Sequence, residues 1–434
     1  MQTIASAQGT LPSNPTGANV RSALASYLKL GVSDPRSYST TNLANNFRSD
    51  RVQSWSLGIQ RELNKEAVVE ARYVGNSGDR LFQSINGSPY LAGVQALFPN
   101  YDNVTLQSNG RTTAYSSKRT RTNTGYSAYH ALQTELRADH LFNQLLLRTG
   151  FTWSKTTDNT SEIYSTGGGG NTISFAQDPL NYKGTEHGLS GLDTPFNWTF
   201  SFAESIPFQK EQHGLVGKAL GGWGVAGTYF IASGQPYTPY QYYFNYMTTY
   251  YGGATAQVVD KSFNTSFIGT YDGGLRPFLG NKKASAKAVG VYAGDADIYF
   301  GTTGASSNTL LSFNDLESSG TVTPVSKNQV RYIANGPTAD TIYNTPYGDA
   351  GRNLSRDYWT NTANATISKN FKFHDSWDAQ FRATFNNAFN HPNFSSIDAE
   401  IEDAGDYGSG DGFGDPSVTS GGGRTITFGA YIHF

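Results

Sequence analysis

The chain has 434 residues and a formal net charge of −2, from 32 Lys and Arg against 34 Asp and Glu. That balance excludes a basic nucleic-acid binder and a polybasic membrane-surface protein. With no cysteine, disulfides, thiolate metal sites and cysteine nucleophiles are excluded together.

Aromatic residues make up 14% and charged residues only 15% of the chain, against about 25% charged in ordinary soluble domains. The mean hydropathy is nonetheless −0.47, and no run approaches the ~18 apolar residues of a membrane helix. A transmembrane barrel reconciles the two, because only every second residue of its strands faces lipid. The first residues, Met1-Gln2-Thr3-Ile4-Ala5-Ser6, have neither the basic nor the apolar region of a signal peptide. A secreted barrel needs such a signal, so the sequence reads as a fragment, as a processed or engineered chain, or as something other than a barrel.

Alternation with a period of two recurs in segments of roughly ten residues, the length of a membrane strand. Residues 1–51 read as an N-terminal extracellular loop or extension, and 52–434 as the barrel region. Trp55, Leu57 and Ile59 alternate with Ser54, Ser56 and Gln60. Glu66–Gly75 and Tyr126–Ala138 are less regular. Leu147, Phe151 and Trp153 alternate with Arg148, Thr152 and Ser154, and Phe196, Trp198, Phe200 and Phe202 with Asn197, Thr199 and Ser201. Trp223, Val225, Tyr229 and Ile231 share a face. In Trp359–Phe371 the polar set is Thr360, Thr362, Asn364, Thr366, Ser368 and Asn370, while Asn361 and Lys369 interrupt the apolar set. Trp377, Ala379, Phe381, Ala383 and Phe385 alternate with Asp378, Gln380, Arg382, Thr384 and Asn386, which would line a lumen. In Thr425–Phe434, Ile426, Phe428, Ala430, Ile432 and Phe434 share one face.

The pattern therefore predicts an all-β, antiparallel transmembrane β-barrel segment of about nine strands, part of a larger barrel. Its connections alternate between short ones, near Asn64-Lys65, Asp139–Asn143 and Phe373–Ser376, with a medium one at Phe208–Gly221, and long ones at Asn76–Thr124, Asp158–Thr194, Gly234–Tyr358 and Phe389–Arg424. Barrels place short turns in the periplasm and long loops outside. All six tryptophans fall near segment ends; they suit interfacial girdles, or else the core of a soluble sheet.

Several candidate sites follow. The tract 235–251 carries Tyr237, Tyr240, Tyr242, Tyr243 and Tyr246, broad faces with a polar handle that grip sugars, peptides or proteins; a self-packed outer loop or a strand extension is the alternative. The acidic run that includes Asp403, Asp406 and Asp411 could hold Ca²⁺ through carboxylate and carbonyl oxygens, or be a solvated loop. Arg111, Lys118, Arg119 and Arg121 form a basic patch in an expected outer loop, suited to lipopolysaccharide phosphates or simply to solvent. Glu70, Arg72, Glu135 and Arg137 join Asp378 and Arg382 on the expected lumenal faces. No zinc-binding histidine spacing and no G-x-S-x-G elbow is present, so neither catalysis nor a cofactor is expected.

Several stretches, in order, resemble the C-terminal barrel region of acidobacterial-type TonB-dependent receptors, the type with a carboxypeptidase-regulatory-like N-terminal domain. They are Val52–Leu63, Tyr73-Val74-Gly75-Asn76-Ser77-Gly78, Phe151-Thr152-Trp153-Ser154-Lys155, Gly221-Gly222-Trp223, Ser233-Gly234-Gln235-Pro236-Tyr237, Gly351-Arg352-Asn353 and, most specific, Phe381–Phe394. The C-terminal Gly429, Ile432 and Phe434 resemble the signal read by barrel-assembly machinery. The resemblance implies cell outer-membrane localisation in a Gram-negative organism and energised uptake of a large solute. It also implies partners: outer-membrane lipid, a plug and N-terminal half, and a TonB-type energy coupler. That family's barrel has ~22 strands, so about nine would need further strands or further copies of the chain to close. The alternatives are a structural or interaction protein of the outer membrane or surface, and a soluble carbohydrate-binding or hydrolytic β-protein.

Overall fold

The computed structural model describes residues 40–86, 118–141, 144–161, 181, 183–241, 276–345, 348–374, 377–406, 408, 412–419 and 421–433. Nine long strands form one meander: β1 (Arg51–Asn64), β2 (Ala67–Asn86), β3 (Lys118–Leu141), β4 (Leu145–Asp158), β5 (Phe196–Ser205), β6 (Trp223–Ala232), β7 (Thr360–His374), β8 (Trp377–Asn386) and β9 (Thr425–His433). Each pairs antiparallel with the next in sequence. Among the described residues no pairing joins β9 to β1, and every residue of β1 is exposed. No described helix is long and apolar enough to cross a membrane.

Register carries the sequence alternation from strand to strand, its irregularities confined to strand ends and to the β2–β3 pairing beyond Gly78. Leu57 lies opposite Tyr73, Tyr73 opposite Leu132, Leu132 opposite Trp153 and Trp153 opposite Phe196. Farther on, Ile367 links Val225 to Ala383, and Ala383 faces Phe428. Because side chains alternate with a period of exactly one pair, a slip of one residue anywhere would turn a whole strand's apolar set onto the polar face. The apolar face stays open: Leu57, Ile59 and Phe428 are 73, 73 and 66% exposed. In water that would be an aggregation surface; against hydrocarbon it is the solvated side. Aromatic residues gather at both ends of this face. Phe196 lies 5.2 Å from Trp359 at one end, while Trp223 and Trp377 open strands at the other.

Two strands outrun the expected length. β2 has 20 residues and β3 has 24, where about 9–11 suffice to cross the hydrocarbon. Their outer halves pair beyond Gly78, through shifts in register, up to Asn86↔Arg119. The stretches 76–86 and 118–124, expected as loop, are therefore strand. Leu81, Phe82 and Ile85 are scattered over both faces among polar residues, so the alternation that marks a membrane strand is lost. Lys118, Arg119 and Arg121 of the expected basic loop sit on this ribbon, where Arg121 pairs with Ser84 and its guanidinium lies 5.6 Å from the Phe82 ring; Arg111 lies outside the described residues.

The larger correction concerns the long connection 234–358. Its described part is a folded unit with its own core. A four-stranded sheet of Phe278–Leu279, Tyr332–Ile333, Val289–Tyr292 and Leu310–Ser312 packs with three short helices. These follow α1 (Gly214–Leu220) in the chain: α2 (Ala293–Phe300), α3 (Phe313–Ser319) and α4 (Pro337–Tyr343). Local chemistry sets their limits. The Ser312 side chain accepts from the Asp315 N–H at the start of α3, and Gly320 ends it in the left-handed region at φ 68°. Pro337 opens α4, where its missing N–H costs nothing.

Residues from a second long connection complete this core. Ile397, Ala399, Ile401, Ala404 and Phe413 join Tyr237, Val289, Val291, Leu311, Phe313 and Tyr332 in one cluster. The connections after β6 and β8 thus fuse into a single cap over one end of the sheet, the end that barrel architecture places outside the cell.

Candidate functional site: the polar face and the cap

The face opposite the apolar one curves around a cleft of 590 Å³ spanning β2 to β7. Glu70, Arg72, Gln133, Glu135 and Arg148 line one side of it, and Asn197, Thr199, Ser201, Thr228, Thr362 and Asn364 the other. The charges are paired along their own strands: Arg72 with Glu70, and Arg137 with Glu135 at 2.6 Å. These pairs are exposed, so each contributes ~0–1 kcal/mol and fixes side-chain direction more than stability. A cleft walled by charges on one flank and hydroxyls and amides on the other can hold water and hydrogen-bond a polar solute. It offers no aligned nucleophile and base.

Asp378, Gln380, Arg382, Thr384 and Asn386 lie on this polar face, on β8. Arg382 donates to Gln380 (2.8 Å), Gln380 donates to Asn370 (2.9 Å), and Asn386 donates to Thr425 (3.3 Å). The Arg382 guanidinium also sits 5.3 Å from the Tyr431 ring. On β9, Gly429 pairs with Arg382 and Ile432 with Ala379 on the exposed apolar face; Phe434 lies outside the described residues.

Tyr237 is 3% exposed, inside the cap core. Tyr240 packs against the same core, accepts at its carbonyl from Ile401 N–H and donates its own N–H to Ala399. Burial drives both phenols well above their ordinary pKa. These two tyrosines hold the cap to itself; Tyr242, Tyr243 and Tyr246 lie outside the described residues.

The acidic run is partly drawn into the fold, with Asp406 left exposed. Glu402 and Asp415 are buried. Asp403 is pushed up to about 7, first by desolvation and then by Glu400 and Asp398. Glu317 on α3, which accepts from the Gly405 N–H, is also pushed up to about 7 by burial. Desolvation and the neighbouring Glu402 raise Glu400 as well. Among the described residues no group of three or more acidic or histidine side chains is arranged to hold a metal ion; Asp411 lies outside them.

The residues with the most tightly built polar surroundings are ones for which composition offered no role. Arg352, buried, pairs with Asp158 at the end of β4, donates to the Glu186 carbonyl (3.0 Å) and to Ser161 (2.7 Å). Arg276 pairs with Glu186 at 2.6 Å, both side chains 3% exposed. Arg356 pairs with Asp193, whose carboxylate also accepts from Thr156 N–H on β4 (2.5 Å). Asn353, left-handed at φ 55°, donates its amide to Leu189 and its N–H to Thr238. Three arginines thus rivet the cap to β4 and the loop that follows it. The one sequence signal was the Gly351-Arg352-Asn353 triplet.

Among solved structures the chain is similar to the outer membrane transporter YddB from Escherichia coli, at 10% identity and a TM-score of 0.38, over 93% of this chain and 35% of that one. It is also similar to the ferric-catecholate import receptor Fiu from E. coli K12 in its closed form, at 9% identity and a TM-score of 0.34, over 90% of this chain and 29% of that one. A third is the FrpB iron transporter from Neisseria meningitidis, at 10% identity and a TM-score of 0.32, over 95% and 33%. The chain spans about a third of the length of these proteins. No curated protein gives a significant match. The outer membrane beta barrel domain family matches residues 2–427; with its lipid-ready outer face and alternating register, the chain belongs to that family and its place is the cell outer membrane.

Proposed function

We propose that the chain is the C-terminal barrel portion of a TonB-dependent receptor that takes up a large solute across the outer membrane. The observation that carries this reading is a wall apolar outside and polar within, roofed at its extracellular end by a folded, riveted cap. Such an object can recognise a solute at the cap and conduct it along the polar face; it binds and gates, and does not catalyse. Bilayer hydrocarbon cannot satisfy an open strand edge, so β1 and β9 require further strands. In this reading an N-terminal half of the receptor supplies them, together with a plug, the carboxypeptidase-regulatory-like domain and the contact with a TonB-type energy coupler. Barrel-assembly machinery would insert the whole.

The test is the intact mass of the polypeptide ending at Phe434, taken from the native outer-membrane fraction, joined to uptake assays on cells with and without it. The expected mass is far above 47.1 kDa, with loss of uptake of one solute on deletion and the same loss when the proton gradient is collapsed. A mass near 47.1 kDa and unchanged uptake would overturn the reading in favour of a structural surface protein.

A further inference from the structure

The connection between β5 and β6 lies at the periplasmic end of the sheet and contains a helix, α1, which among the described residues no other connection at that end does. Left-handed residues Gln209 and Gln212, at φ 49° and 55°, fold the chain back before it. The Gln212 side chain then donates to the Asn370 carbonyl (2.9 Å) and accepts from Lys372 N–H, fastening the turn to β7.

The last turn of α1 is held from the lipid-facing side of the wall. Lys369, one of the two residues that interrupt the apolar face of β7, donates its ammonium to the Lys218 carbonyl (2.7 Å) and to that of Gly221. Trp223 donates its indole N–H to the Ala219 carbonyl (3.2 Å). A cation at a helix C-terminus meets the negative end of its dipole. The Lys369 ammonium also lies 5.3 Å from the Trp223 ring and 4.9 Å from that of Phe371. A lysine otherwise misplaced among Ile367 and Phe371 is thereby buried and satisfied.

Gly217 is the buried residue of the helix, turned toward the chain of Gln212. The other side, where the helical repeat brings Leu215, Val216, Ala219 and Leu220 together, faces out. Leu215 is 88%, Val216 68% and Leu220 50% exposed, and Phe208 before the helix is 55% exposed. This patch continues the lipid-facing surface of the wall at its aromatic rim. Lys210 and Lys218 flank it, both exposed.

We propose that α1 is an interfacial anchor that lies in the periplasmic leaflet, with Leu215, Val216 and Leu220 inserted among the lipids and Lys210 and Lys218 at anionic phospholipid headgroups. An apolar helix face of this kind sinks about 5–10 Å into the boundary between headgroups and acyl chains, and basic residues strengthen its hold on anionic lipid. Lys369 and Trp223 set its depth by tying its end to the wall.

These 434 residues contain no cysteine, so a single cysteine introduced among them is labelled specifically once any cysteine in the rest of the complete polypeptide is replaced by serine. L215C, L220C, H213C and K65C, the last in the short β1–β2 turn, would each carry an environment-sensitive fluorophore. Each protein is reconstituted in vesicles of phosphatidylethanolamine alone or with phosphatidylglycerol. Labels at Leu215 and Leu220 are expected to emit to the blue of those at His213 and Lys65. They should be quenched several-fold more by lipid carrying a doxyl group high on its acyl chain, and shielded from aqueous iodide, most strongly with phosphatidylglycerol present. Two leucine positions guard against one variant misfolding. Iodide quenching at Leu215 and Leu220 equal to that at Lys65 in both kinds of vesicle would overturn the proposal.

Discussion

In the cap, Tyr332, Phe278, Phe313, Phe413, Leu311, Ile333 and Ile401 are each under 2% exposed; in the wall, Leu57, Ile59, Phe428 and Ile432 are all more than 60% exposed. The same residue types thus do opposite jobs in one chain. The cap is organised by water, and its apolar residues associate with one another. The wall is organised by lipid, which is as apolar as its own side chains, so its order comes from strand hydrogen bonds and register. The polar residues reverse in step. The wall's ion pairs are exposed, whereas Arg352–Asp158 and Arg276–Glu186 are buried.

The contrast predicts which substitutions each region tolerates. The largest effect is expected from R352A, which strands the Asp158 carboxylate in a buried site at a cost of about 3–5 kcal/mol. Hydrogen exchange of cap amides should accelerate, while the wall strands keep their protection; loss of both together would show that cap and wall are one cooperative unit. L311A in the cap core should cost about 2–5 kcal/mol, read by denaturant unfolding of the cap. On the lipid face the vulnerable change is to charge: L57R should cost about 2–4 kcal/mol, measured by refolding into vesicles. The exposed V322R of the cap should stay within about 0.5 kcal/mol. Equal effects of L57R and V322R would mean that the apolar face does not meet lipid.

Cap and wall should also differ in their response to pH. Asp295, buried against the start of α4, is pushed up to about 6, and Glu317 and Asp403 to about 7. Each carboxyl binds its proton more readily folded than unfolded, so the folded cap gains from protonation. That gain is complete below the unfolded values near 4 and is lost as pH rises through about 6–7. Cap amides should therefore exchange more slowly, after correction for intrinsic rates, at about pH 5 than at about pH 8. The wall should show no such dependence. E317Q should flatten the profile.

The same contrast explains what was legible beforehand. Wall strands announce themselves because one rule, apolar out and polar in, recurs from Trp55 to Phe428, least regularly in Glu66–Gly75 and Tyr126–Ala138. The cap follows no single period. Its strands are two to four residues long and its helices seven or eight, too short for an amphipathic pattern to accumulate. In the acidic run the charges masked Ala399, Ile401, Ala404 and Phe413, which are the residues that anchor it. The tyrosine-rich sequence is compatible with a ligand grip and with a self-packed loop alike; only the tertiary structure shows that Tyr237 is buried. Arg352 stood out only within a familiar triplet; its partners Asp158 and Glu186 are far away in sequence, so no local pattern could reveal them.

The length of β3 bears on how the molecule meets its surroundings. Twenty-four extended residues reach on the order of 80 Å, more than twice the ~30 Å hydrocarbon layer. The excess stands in water, and it is braced: Asn159 donates to Gln83, and Tyr126 donates to Lys183, in the loop gripped by Arg352 and Arg276. The hairpin is a strut for the cap's foundations. It lifts the cap's footing above the hydrocarbon layer, to a height that strand length and strand tilt set together.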